Sequence, residues 1–256
     1  MKLLPILSLV FFSFSCSFKS AVISNLDHII AYRMADRFDL YNSQRKELLN
    51  DVRALLESQK STAINIKTKL EKFNIQSAEF NKDWQYLLNT YSAIAQSVTP
   101  IISKALASLS EKQRKKFLEK NRERTSKMKE DVDKPEKYLE RAEFFFGNLS
   151  ETQKKLFMSE VVPHLDLVKK SRVSERQEAN KAMASFFFEN KNTREALLKY
   201  FNQNLAKVPS DQNRLQAGKG IGALTKTLSK DQIKKFEEKK SMIIDFLRAF
   251  VETKYI

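Results

Sequence analysis

Apolar residues recur along this chain at three- and four-residue spacing, separated by short polar stretches. That period places them on one face of a helix, so the pattern predicts helices almost throughout. Ala21, Val22, Ile23, Leu26, Ile29, Ile30, Met34 and Phe38 form a first stripe. Leu48, Leu49, Val52, Leu55 and Leu56 mark a second helix, expected over about 43–72. A third, about 77–106, carries Trp84, Leu87, Leu88, Tyr91, Ile94, Val98 and Ile101, with Pro100 expected to kink or split it. Charged helices follow over about 111–132 and 135–146, the latter closed by Gly147. Further helices are expected over about 151–169, 173–189, 193–207 and 230–252. Between them, Gly218-Lys219-Gly220-Ile221-Gly222 holds three of the four glycines and reads as a flexible hinge.

Three helix starts share one pentapeptide: Leu109-Ser110-Glu111-Lys112-Gln113, Leu149-Ser150-Glu151-Thr152-Gln153 and Leu228-Ser229-Lys230-Asp231-Gln232. Leu40-Tyr41-Asn42-Ser43-Gln44 keeps the Leu and Gln but has Tyr for the first Ser. Chemically this is a capping box. The Ser hydroxyl accepts the N–H three residues on, and the Gln side chain accepts the Ser N–H, a gain of about 1 kcal/mol per cap. The copies are unequally spaced, which excludes a regular solenoid.

Composition agrees with an all-α chain. Four Gly and five Pro stand against 19 Phe and 30% charged residues, and the β-branched runs with turn punctuation that strands need are missing. The expectation is an elongated bundle of about eight to nine amphipathic helices. It comprises a helical domain over 16–208 and a C-terminal helical segment, 209–256, packed on the same domain.

The first residues carry the address. Lys2 precedes an apolar stretch from Leu3 to Phe14, then Ser15 and Cys16, the single cysteine. A basic start, a short apolar core and a small residue before cysteine form a lipoprotein export signal over 1–15, with lipid expected on Cys16. The stretch is shorter than the roughly 20 residues that span a bilayer. Ser13 and bulky Phe14 depart from the usual box, while Ser17 after the cysteine points to the outer membrane. The expected setting is the bacterial envelope, facing the periplasm.

The formal charge of +15 attracts anions. In an envelope these are anionic lipid or acidic and unfolded polypeptides, and nucleic acid is expected only if the chain is not exported. Between Lys112 and Lys129 nine positions are basic, with Phe117, Leu118 and Met128 inward. Lys112, Arg114, Lys115, Lys116, Lys120, Arg122 and Arg124 are the candidate docking cations. Phe144-Phe145-Phe146 and Phe186-Phe187-Phe188 each cover about 200° of a helix. Either neighbours sandwich them or one ring is exposed, and Phe145 and Phe187 join the candidate contact residues.

Catalytic chemistry is not expected. His28 and His164 lack partners at metal spacing, the glycine segment lacks Walker spacing, and no carboxylate pair stands out. No cofactor or metal is expected. After removal of the signal the lone Cys16 leaves no disulfide.

The order of motifs resembles a family of bacterial helical lipoproteins with no assigned activity. The resemblance covers about residues 16–205. It rests on Asp36-Arg37-Phe38-Asp39-Leu40 with Gln44, Glu119-Lys120-Asn121-Arg122-Glu123-Arg124, Phe145-Phe146-Gly147-Asn148-Leu149-Ser150 with Gln153, and Ser174-Glu175-Arg176-Gln177. The family's Trp-His-Arg-like segment has no counterpart around Glu57 to Ala63. The Leu-Ser-x-x-Gln openings also resemble those of Spy-type periplasmic chaperones. These resemblances imply a lipid-anchored, non-enzymatic binding or chaperone-like module; the alternative is a structural envelope protein docking one partner.

Overall fold

The computed structural model describes residues 21–130, 136–189, 191–205 and 212–255. Cys16 and the export signal lie outside them. The fold is all-α, a helical bundle with no strand among the described residues. The helices are more numerous and shorter than periodicity alone implies. In the first half they are α1 Leu26–Phe38, α2 Asn42–Ser58, α3 Lys60–Lys72, α4 Phe80–Ser97, α5 Thr99–Ala107 and α6 Glu111–Glu130. The second half adds α7 Glu136–Phe146, α8 Glu151–Glu160, α9 Val162–Phe188, α10 Arg194–Leu205, α11 Gln212–Thr225 and α12 Lys230–Glu252.

One break falls where no single residue demands it, and two fall at prolines. The helix expected over 43–72 divides at Gln59, whose N–H is shared between the Leu55 and Leu56 carbonyls. The break lets α2 pack on α1 and α5 while α3 turns to α12. Pro100 does split its helix, standing in the first turn of α5, where a missing N–H costs nothing. Pro163 likewise opens α9, so the break expected near residue 170 falls at Val161. The chain then runs unbroken through Val168 and Val173, both buried.

The glycine segment is no hinge. It lies within α11, and three close approaches explain its composition. A Cβ on Gly218 would overlap the Trp84 indole, one on Gly220 would meet the Glu160 carbonyl, and one on Gly222 would press on Phe80. The glycines let α4 and α8 approach the α11 backbone.

The four glutamine caps meet in two pairs. Gln153 and Gln232 exchange amide hydrogen bonds, each Nε2 donating to the other's Oε1 at 3.0 Å. Each Oε1 also accepts its own cap N–H, from Ser150 and Ser229. The second N–H of each amide goes to the partner's chain two residues before its cap: Gln153 to Thr227 O and Gln232 to Asn148 O, both 2.8 Å. Gln44 and Gln113 repeat the scheme. Gln113 Nε2 donates to Gln44 Oε1 and Asp39 O, and Gln44 Nε2 donates to Ser108 O. Tyr41 replaces the serine there, and its hydroxyl lies 3.3 Å from Ser110 Oγ. Leucines preceding the caps anchor one core per pair, Leu40 and Leu109 in the first, Leu149 and Leu228 in the second.

This duplication extends to the whole chain. Helices α1–α6 and α7–α12 follow the same order, with a Gln box before the second and sixth helix of each half. Exchanging the halves maps contacts onto contacts: α1 on α6 and α7 on α12, α2 on α5 and α8 on α11. The halves also interlock, since α3 packs on α12 as α9 packs on α6, and α5 packs on α10 as α11 packs on α4.

Two stability predictions follow. Gln232→Ala would leave the Asn148 carbonyl and the Ser229 N–H without their partner and should cost about 3 kcal/mol in denaturant unfolding. Adding Gln153→Ala should cost less than the sum of the single changes, with a coupling of about 1 kcal/mol. Gly218→Ala, normally favourable in a helix, should lower stability by about 2 kcal/mol or more because the Trp84 ring has to move.

Candidate functional site

One strip of α6 faces inward: Gln113, Phe117, Asn121, Thr125 and Met128. The sequence reading places Phe117 and Met128 there, and both are buried, but three of the five positions are polar. Buried amides and hydroxyls need partners, and these have them. The Thr125 hydroxyl donates to the Asn121 carbonyl at 2.7 Å and accepts the Asn180 amide of α9 at 3.1 Å. Asn121 Oδ1 accepts Nη2 of Arg37, from the last turn of α1, at 2.8 Å.

Around this polar strip three arginines gather from three helices. Arg37 is half-buried, and its buried Nε–H finds no acceptor among the described residues. Arg176 of α9 points Nη1 at the Met128 thioether, 3.7 Å away, a weak acceptor. Arg124 of α6 is exposed at the mouth. Burial pulls the Arg37 guanidinium down to about 10, with Arg176 and Arg124 adding repulsion. Arg176 is lowered by burial first and then by Arg124. Among the described residues neither guanidinium forms an ion pair with a carboxylate. The neighbouring acids are turned elsewhere: Asp39 accepts Lys116 Nζ at 2.9 Å, and Asp36 lies 3.9 Å from Lys120. The Lys116 hydrogen bond holds the Asp39 carboxyl below its ordinary range.

The candidate cations therefore divide. Lys115 pairs with Glu111 at 2.7 Å, and Lys116 and Lys120 tie the end of α1, Lys120 donating to the Asp36 carbonyl at 2.7 Å. Arg114 donates Nε to the Leu109 carbonyl and lies over the Phe187 ring, 5.6 Å from its centroid. Lys112, Arg122 and Arg124 are exposed and pair with no carboxylate among the described residues. Phe187 is corrected: it is buried against Phe117 in the first core, and Phe188, 90% exposed, is the outward member of its triplet. In the other triplet Phe146 is buried and Phe145 is exposed, in edge contact with Phe144, over which Lys239 Nζ sits at 4.1 Å.

Arg37, Asn121, Thr125, Arg176 and Asn180 were not singled out as site residues by sequence reasoning. A signal existed. The segments around Arg37, Asn121-Arg124 and Arg176 stand out as motifs in the sequence, and Arg37 and Arg176 both reach α6 here. Spacing of four residues from Gln113 to Thr125 also marks a polar line no charge count displays.

Other candidates offer less. An open cavity of about 350 Å³ is lined by Asn81, Trp84, Gln85, Gln212, Gln216 and Lys219. The Trp84 ring is committed to packing, stacked on Phe80 with Nε1 donating to the Arg214 carbonyl. Among the described residues no three His, Cys, Asp or Glu side chains converge as metal ligands, and no helix is long and apolar enough to cross a membrane. Comparison with known proteins gives no match to a family model, a curated protein or a solved structure.

A buried guanidinium without an anion weakens the fold. The sign follows from its pKa: the folded group binds its proton less tightly than the unfolded one, so the penalty holds below about pH 10 and is relieved as pH rises toward the ordinary arginine value. Arg37→Met should therefore raise the unfolding free energy of the ligand-free protein at pH 7 by about 1 kcal/mol. Urea denaturation measures it, and a loss of similar size would mark the guanidinium as a structural element.

Proposed function

We propose that this chain is a bacterial envelope lipoprotein, anchored through Cys16, that serves as a non-enzymatic binding module for anionic partners. The export pattern of residues 1–15 supports the address, and the surplus of +15 supports the partner's sign. One observation carries the binding half: among the described residues Arg37, Arg124 and Arg176, on and beside α6, form no ion pair with a carboxylate, and Arg37 and Arg176 contact only Asn121 and Met128. Proteins generally pair buried charge, so its absence favours a partner that brings the anion. A lipid anchor with little polar tether after Cys16 would hold this face near headgroups and acidic envelope polypeptides.

The anchor is tested with the full chain in its native host. The expected mature species begins at a lipidated Cys16 and sediments with membranes, and Cys16→Ser releases it. An unprocessed, lipid-free soluble chain in both cases would sink the envelope reading and move attention to salt-dependent nucleic-acid binding.

A further inference from the structure

We propose that Arg37, Arg124 and Arg176 form a site for a single phosphate group, presented either by a lipid headgroup or by free phosphate. This deepens the reading of an anion-binding module by naming the chemistry, and it rests on the side-chain geometry whether or not Cys16 is lipidated.

The donors suit a compact tetrahedral oxyanion. Guanidinium groups present planar forks of N–H donors that match phosphate oxygens. Here they arrive from α1, α6 and α9, so no single helix could supply them. Arg37 spends Nη2 on Asn121 Oδ1, which fixes the plane of its fork, and keeps Nε buried and unanswered. Among the described residues Arg176 meets nothing stronger than the Met128 sulfur, a weak acceptor that a phosphate oxygen would outcompete. Arg124 stands exposed, where an incoming anion meets it first. Of the acids adjoining these arginines in sequence, Asp39 accepts Lys116, Asp36 lies 3.9 Å from Lys120, and Glu175 accepts the Ser171 hydroxyl at 3.2 Å.

The second half of the chain is an internal control. There Phe146 stacks on Phe236, 5.9 Å between centroids, as Phe38 lies 5.5 Å from Phe117 in the first half. Counting back from those rings, Arg37 corresponds to Phe145. Counting from Gln113 and Gln232, Asn121 corresponds to Lys240, Arg124 to Ile243, Thr125 to Ile244 and Met128 to Leu247. Lys240 is satisfied locally by the Phe73 carbonyl at 2.9 Å and by Glu237. The same junction thus closes with aromatic and aliphatic packing and one paired lysine. Packing does not require Arg37 or Arg124, so their presence at only one of two equivalent junctions points to a ligand.

The test uses the full chain carrying Cys16→Ser, purified without lipid, so that failure of the anchor does not enter. Inorganic phosphate is titrated calorimetrically, and flotation is run with phosphatidylcholine vesicles with and without phosphatidic acid. Arg124→Gln removes an exposed donor and leaves the core alone, Arg37→Gln removes the partly buried one, and Lys112→Gln with Lys115→Gln removes two charges elsewhere on α6. One-to-one phosphate binding weakened roughly tenfold or more by Arg124→Gln, and spared by the lysine pair, establishes the site with free phosphate as a sufficient ligand. Flotation that needs phosphatidic acid and fails in Arg124→Gln, with no response to inorganic phosphate, establishes a headgroup site. Binding lost equally in the lysine variant, or absent from both arms, overturns the proposal. Failure of Arg37→Gln to fold leaves the Arg124→Gln comparison decisive.

Discussion

Two pairs of glutamine amides hold the architecture in register. At each junction two helices begin side by side, bringing together two sets of unsatisfied N–H groups and two positive dipole ends. That arrangement is unfavourable until something answers both. Each glutamine does so by closing its own cap through Oε1 while its Nε2 spans to the facing chain. Acidic first-turn residues, Glu111, Glu151 and Asp231, add charge of the helpful sign. Because each amide reaches a carbonyl two residues ahead of the partner's cap, neither helix can slide without breaking several bonds. The leucines beside the caps then set where each core begins.

Much of this was legible at the level of single elements. Ser110, Ser150 and Ser229 announce helix starts, and their glutamines close the expected boxes. The pairing was not legible, because it depends on which starts meet, a matter of sequence separations near 70 to 80 residues. The break at Gln59 was hidden for a similar reason: helix propensity permits continuation, and only the competing claims of α5 and α12 divide the segment. Gly218 and its neighbours misled in the other direction, since glycine spent on close approach looks like glycine spent on flexibility. Phe187 and Phe188 differ by 100° on one helix, and the choice between them belongs to α6 and its Phe117.

The arginine cluster illustrates how a duplicated framework can pack one junction with rings and leave polar and charged groups at the other. Both junctions bring the end of a short helix against a long capped one. One fills the contact with Phe146 and Phe236 and gains from burial. The other keeps one aromatic pair, Phe38 and Phe117, and gives the adjacent space to Arg37, Asn121 and Thr125. Charge on α6 is therefore two populations. Lys115, Lys116 and Lys120 serve local structure, and counting them with Arg124 hid the residues whose charge is uncommitted.

Interlocking of the halves has a kinetic consequence. The partner of α3 is α12, more than 150 residues further along the chain, and the Tyr255 N–H returns to Glu57 Oε1. Contacts of such separation make folding slow and late, because loop entropy is spent before they form. A partly synthesised chain would display the apolar face of α3 without α12, and that of α6 covered by α1 alone. Each half is unfinished without the other, so the apolar surface is sequestered only when the last helix arrives.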